Sequence, residues 1–269
     1  MIYFCATPIG NLKDIGIRTL EILRSVDLIA CEDTRTSLKL LNEYNIKKPL
    51  ISYHKFNESS KAEELIELSR EKDIALITDA GLPGISDPGE VLVKRLINEK
   101  IDFRVVPGAN AALTGLVLSG LSSEHFLFYG FLKAKSSARK KELEGLKNIK
   151  YTLIFYEAPH RLKDSLIDIY EVLGNRSASI SREITKLFEE TLRGNLKDLL
   201  DMDLTLKGEF VIVVEGNSQE EVLDLEELLR EKLDLGIKKS QAVKELAKEY
   251  KVSKNELYKI SLEVDNEQP

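Results

Sequence analysis

Residues 78–89, T-D-A-G-L-P-G-I-S-D-P-G, constrain the fold of this chain more than any other segment. The segment holds three Gly, two Pro and two Asp, and it follows the apolar run Ile74-Ala75-Leu76-Ile77 directly. A short apolar run that stops at so dense a cluster of turn residues reads as a buried strand entering a loop. Glycines let backbone groups approach a ligand closely, and prolines hold the loop's shape. Open α/β sheets place ligands at the carboxyl ends of their strands. Two more segments repeat the pattern: T-P-I-G-N-L (7–12) after the apolar start 2–6, and P-G-A-N-A-A (107–112) after 103–106. Three such loops at strand ends would face one sheet edge and line one crevice.

Around these loops, strand candidates at 2–6, 28–31, 50–53, 74–78 and 103–106 alternate with helical patterns. One helix is expected over 60–71, where Ser60 and Glu63 have capping-box spacing; another is expected over 111–119. The alternation predicts a mostly parallel sheet covered on both faces. Strands at 126–129, 152–156, 177–181 and 210–215, with helices at 137–147 and 161–173, predict a second α/β domain. From residue 220 the strand signal ends. Val243, Leu246, Ala247 and Tyr250 make one apolar stripe at helical spacing, and Ser253 with Glu256 repeats the capping spacing. The expected architecture is α/β: one domain at 1–121, a second at 122–218 completing a cleft, and a small helical extension at 219–269. That extension reads either as a helix-turn-helix RNA-binding tail or as a bundle capping the second domain.

Composition narrows the class. Apolar residues make up 43% of 269, enough for a sizeable core, yet no stretch nears the roughly 20 residues of a membrane span. The start lacks a basic leader, and two cysteines, Cys5 and Cys31, fit a reduced, cytoplasmic protein. His54, His125 and His160 are isolated, so no metal is expected. A net charge of −6 argues against indiscriminate nucleic-acid binding. Basic residues are concentrated, however: 133–150 carries seven Lys/Arg against two Glu, and 230–259 nine against five acidic residues.

These motifs resemble the tetrapyrrole-methylase superfamily (the class III methyltransferases) and, within it, the family of ribosomal RNA small subunit methyltransferase I. The resemblance is carried by T-P-I-G-N-L-K-D-I (7–15), E-D-T-R (32–35), the 78–89 loop, V-P-G-A-N-A (106–111), Y-E-A-P-H-R-L (156–162), R-E-I-T-K-L-F-E-E (182–190) and K-G-E-F-V (207–211). The chain departs from the family at Lys133, usually Pro, and at Asn110, usually a small hydroxyl residue. The resemblance implies transfer of a methyl group from S-adenosylmethionine to the ribose 2′-oxygen of a cytidine in 16S rRNA of the 30S subunit, by a homodimer. A methyltransferase of a porphyrinoid or other small molecule and a non-catalytic RNA-binding protein are the alternatives.

The resemblance further implies that the cofactor lies against Pro8, Asp79, Ala80, Gly81, Ile85, Pro107, Gly108, Ala109 and Asn110 of the first domain. Phe131, Leu132, Ala158, Gly208, Glu209, Phe210 and Val211 of the second would complete the site. A ribose hydroxyl is a weak nucleophile, so a general base or an alkoxide stabiliser helps. Glu157 is the first choice of base, at a strand end beside the cofactor loop. Asp33, Glu183 and Lys186 are further catalytic candidates, and structural ion pairs explain them equally well. The RNA-binding surface is expected on Arg35, Lys133, Lys135, Arg139, Lys140, Lys141 and Arg161, extended by Lys238, Lys239 and Lys254 of the tail.

Overall fold

The computed structural model describes residues 1–218, 225–250 and 252–265. The chain divides into two compact units, Met1–Asn217 and Ser218–Pro269.

The larger unit contains two five-stranded sheets. The first is built from β1 (Ile2–Cys5), β2 (Leu28–Cys31), β3 (Leu50–Ser52), β4 (Ile74–Ile77) and β5 (Phe103–Val106), in the order β3-β2-β4-β1-β5. All its pairings are parallel, with Ile2 opposite Ile74 on one side and Phe103 on the other. Helices α1 (Ile17–Ser25), α2 (Thr34–Glu43), α3 (Glu58–Leu68), α4 (Glu90–Asn98) and α5 (Ala111–Ser119) connect or follow these strands. Every residue of β2 and β4 is buried, which is why both read as continuous apolar runs rather than alternating ones. One face of the sheet packs Phe4, Leu65, Leu76 and Leu92; the other packs Leu23, Ile29, Leu41 and Ile77.

The second sheet has the order β6-β7-β10-β8-β9, from β6 (Phe126–Phe131), β7 (Thr152–Glu157), β8 (Ser177–Arg182), β9 (Glu190–Asn195) and β10 (Phe210–Val214). Only β6 and β7 run parallel, with a bulge between Phe128 and Gly130; the other pairs are antiparallel. Helices α6 (Ser136–Glu144), α7 (Leu162–Leu173) and α8 (Leu196–Asp201) complete this half, and Phe155, Leu166, Ile169 and Ile212 lie in its core. Helix α5 joins the two halves. Its Ala112 and Leu116 pack with Ile154, Val211 and Val213 of the second sheet and with Ile9 of the first loop. Gly115 makes that approach possible: a Cβ there would lie 2.6 Å from Val211 Cγ1.

The smaller unit contains α9 (Leu225–Asp234), α10 (Lys239–Glu249) and α11 (Lys254–Asp265) around Leu229, Val243, Leu246 and Leu257. The stripe expected over 243–250 is the inner face of α10.

Two local expectations are corrected. Helix α3 begins at Glu58 after Asn57, so Ser60 lies inside the first turn, where its hydroxyl donates to Asn57 O, and it caps nothing. The edge strand β9, E-T-L-R-G-N, carries no apolar signal and was not expected. The Glu256 side chain of the second capping pair lies outside the described residues.

Candidate active site

Two loops at adjacent strand ends are clipped together. Thr7 and Gly81 form an antiparallel bridge, and the Thr7 hydroxyl donates to Thr78 O at 3.0 Å. Gly81 has φ +79°, a region L side chains rarely occupy, so the sharp turn after β4 depends on glycine. Below this bridge opens a cleft of about 320 Å³. The first half contributes Ile9, Ala80, Gly81, Leu82, Ile85, Ser86, Asp87, Asn110 and Ala111; the second contributes Phe131, Tyr156, Glu157, Ala158, Pro159, Glu209, Phe210 and Val211. Asn110 caps α5 by accepting from Leu113 N at 3.0 Å, and the Tyr156 hydroxyl accepts from Ala112 N at 3.1 Å.

Of the residues expected at a cofactor, Ala80, Gly81, Ile85, Asn110, Phe131, Ala158, Glu209, Phe210 and Val211 line this cleft. The rest do not. Pro8 and Asp79 line a separate groove. Leu132 belongs to the core of the second half. A Cβ on Gly108 would stand 2.8 Å from Ala6 Cβ, so that glycine serves close packing. Gly208, at φ +89°, lies against the Glu183 side chain, and Pro107 and Ala109 stay outside the lining. Ile9, Leu82, Ser86, Asp87, Ala111, Tyr156 and Pro159 also line the cleft and were not among the expected residues. Asp87 sits in the same S-D-P-G loop as the recognised residues, and only the fold shows that it reaches the cleft.

The carboxylates differ sharply in environment. Burial, together with Glu32, Asp79 and Glu209, pushes Asp87 up to about 7. Glu157, the expected base, lines the cleft with both carboxylate oxygens engaged. Its side chain is 1% exposed, Oε1 accepts from Arg161 at 2.5 Å and from Ala158 N at 2.8 Å, and Oε2 accepts from Ser165 at 2.6 Å. Glu183 holds Lys186 at 2.8 Å, which lowers its pKa, and Lys186 also lies 3.5 Å from Glu209. Both Glu183 and Thr185 carry positive φ, and the Thr185 hydroxyl accepts from Asn11 N. This loop therefore buttresses the N-terminal one. Asp33 caps α2 and pairs with Arg35 at 2.8 Å; the hydrogen bond from the Arg35 guanidinium lowers it to about 2.

The basic residues separate similarly. Arg139 is 2% exposed, and its guanidinium binds Asp168 at 2.6 Å; it is a core ion pair and cannot reach RNA. Lys140 contacts Asp168 and Glu171, and Arg161 is held by Glu157. Lys133, Lys135, Lys141 and Arg35 are exposed, as are Lys238 and Lys254 of the smaller unit, whereas Lys239 is half-buried.

His54 Nδ1 accepts from Phe56 N, and the His125 ring packs against Tyr151 at a tilt of 55°, so both have local structural roles. Among the described residues, no group of three His, Cys, Asp or Glu is placed to hold a metal, and no helix is long and apolar enough to cross a membrane.

Two α/β halves closing on a loop-lined cleft define a methyltransferase of the class III type. A family model described as tetrapyrrole (corrin/porphyrin) methylases matches residues 1–200. The ribosomal RNA small subunit methyltransferase I of Halalkalibacterium halodurans is 45% identical, over 96% of this chain and 93% of its own length. The protein of the same name from Bacillus subtilis is 43% identical over 96% and 92%. Among solved structures, uroporphyrin-III-C-methyltransferase from Thermus thermophilus shares the fold at a TM-score of 0.57 and 19% identity, covering 80% of this chain and 93% of that one. The chain belongs to the tetrapyrrole methylase family and, within it, to the group named ribosomal RNA small subunit methyltransferase I.

S-adenosylmethionine is the cofactor. The cleft fits it. Ile9, Ile85, Phe131 and Val211 would offer apolar surface to the adenosine, and the carboxyl groups of Asp87 and Glu209 would attract its cationic groups.

Proposed function

We propose that the protein methylates the ribose 2′-oxygen of a cytidine in 16S rRNA, within the 30S subunit, as a cytoplasmic homodimer. One observation carries this reading. Likeness to relatives named for the small-subunit RNA covers 96% of the chain, well beyond the residues 1–200 that the general methylase model matches. The exposed lysines of both units suit a polyanion.

The bound cofactor supplies an electrophilic methyl group for in-line displacement by the ribose oxygen. The chain supplies alignment, exclusion of water and a proton acceptor. Tyr156, fixed by Ala112 N, and the half-exposed Phe131 give the cleft aromatic walls. Asp87 takes the hydroxyl proton, because a carboxylate held near 7 is an effective base at neutral pH. Glu157 positions: by gripping Arg161, Ser165 and Ala158 N it fixes the cleft wall at the end of β7.

The test is mass mapping of 16S rRNA from a strain lacking the gene. One ribose-methylated cytidine should disappear, and return when this chain is expressed. An unchanged methylation map would exclude the reading and leave a small-molecule substrate.

A further inference from the structure

A second depression, of about 190 Å³, opens beside the cofactor cleft. The same two loops serve both. Thr7, Pro8, Thr78 and Asp79 line the groove, and the residues that follow them, Ile9, Ala80 and Gly81, line the cleft. Leu12 and Leu40 face the groove with Pro8, and Thr36, Ser37 and Lys39 of α2 complete it.

Its chemistry is that of a nucleobase site. An open depression of about 190 Å³ has room for one six-membered heterocycle, as a cavity of about 150 Å³ has room for benzene. Apolar walls suit the faces of a ring, and polar groups suit its edge. The Ser37 hydroxyl is buried with only the weakly bonding Cys31 thiol beside it. Asp79 Oδ1 accepts from Asp33 N at 3.2 Å, while Oδ2 has no donor among the described residues. A free carboxylate oxygen accepts from an exocyclic amino group such as cytosine N4, and repels the carbonyl oxygen that uracil presents at the same position.

Resting on the RNA reading above, we infer that this groove receives one unstacked pyrimidine of the substrate and that Asp79 selects cytosine through its amino group. Taking the base out of its stack delivers its ribose to the adjoining cleft, the solution general to enzymes that modify single nucleotides. Unpaired RNA makes this inexpensive.

The test fills the groove from its half-buried rim. Thr36→Trp should leave S-adenosylmethionine affinity by calorimetry and 30S affinity by filter binding unchanged, while single-turnover transfer falls roughly 100-fold. Asp79→Asn should narrow the preference for cytidine over uridine at the target position by about tenfold, measured on 30S particles carrying either base. Wild-type transfer rates in Thr36→Trp, or an unchanged base preference in Asp79→Asn, would overturn the groove assignment while the RNA reading stands. A wild-type enzyme that transfers nothing to 30S particles or to naked 16S rRNA would overturn both.

Discussion

Thr7 and Gly81 exchange both backbone hydrogen bonds, Thr7 N to Gly81 O at 2.8 Å and Gly81 N to Thr7 O at 3.2 Å. The bridge ties the loop after β1 to the loop after β4, and both border the cofactor cleft and the neighbouring groove. A change that breaks it reaches both sites at once.

Gly81→Val is the sharpest probe of that bridge. At φ +79° a side chain costs about 1–2 kcal/mol, and a β-branched one more. If the loop relaxes to escape the strain, S-adenosylmethionine affinity should fall about tenfold for each 1.4 kcal/mol of misalignment. Calorimetry on a variant that keeps its far-ultraviolet circular dichroism measures this. Wild-type affinity in a folded Gly81→Val would show that the loop does not shape the cofactor site.

Asp87 should govern the pH dependence. Its carboxyl is held at about 7 by burial and by Glu32, Asp79 and Glu209. Single-turnover transfer should therefore rise along an acid limb, lying below 7 because the cationic cofactor favours the carboxylate, and Asp87→Asn should remove the limb with most of the rate, about 10²–10⁴-fold for a general base. Stability carries the opposite sign. A carboxyl raised in the folded state binds its proton more tightly there, so its contribution is most favourable below the unfolded pKa. That contribution is lost as pH climbs from about 4 to 7. Across that window the melting temperature of Asp87→Asn should gain on that of the wild type.

What was legible in the sequence follows physical lines. β1, β2, β4 and β10 were visible because strands buried on both faces must be apolar throughout. β9 was invisible because an edge strand needs no such pattern: its order comes from pairing Thr191 with Ser181 and Leu192 with Ile180. The loop motifs located the cleft but could not say which of Asp79 and Asp87 turns into it. Arg139 reads as one more cation in a basic run. Only Asp168, on another helix, reveals it as a core residue.

Arg139 gives a stability prediction where the sequence suggested an RNA contact. Both members of the pair with Asp168 are nearly inaccessible, at 3% and 5% side-chain exposure. Removing Arg139 leaves the buried Asp168 with Lys140 at 3.4 Å and the Ser136 hydroxyl as its remaining partners, so Arg139→Ala should cost up to about 3–5 kcal/mol in urea denaturation. Replacing both residues with apolar ones should recover much of that. A loss of 30S affinity in Arg139→Ala without a loss of stability would restore the RNA-binding role.

Glu157→Gln separates anchor from base. The amide keeps the shape but weakens the grip on Arg161, Ser165 and Ala158 N, a loss of about 1–3 kcal/mol in stability. Transfer should slow through misalignment, with its acid limb still at the wild-type pH. Disappearance of the limb in Glu157→Gln, with the limb intact in Asp87→Asn, would exchange the two roles.

Two exposed lysines of the smaller unit stand at helix N-termini. Lys238 is the N-cap of α10, and Lys254 is the first residue of α11. Both are exposed. Cations at helix N-termini oppose the helix dipole and cost about 0.3–1 kcal/mol each, whereas a phosphate placed there is welcomed by the same dipole and by free amides. Substituting Lys238→Glu and Lys254→Glu together should therefore raise thermal stability slightly. It should also weaken 30S binding and make the log–log salt slope shallower by about 0.7–0.9 for each phosphate no longer neutralised. Cofactor affinity should not change. If stability rises while 30S affinity and salt slope stay at wild-type values, these helix ends do not bind RNA, and the polyanion must be held by the larger unit, where Arg35, Lys133, Lys135 and Lys141 are exposed.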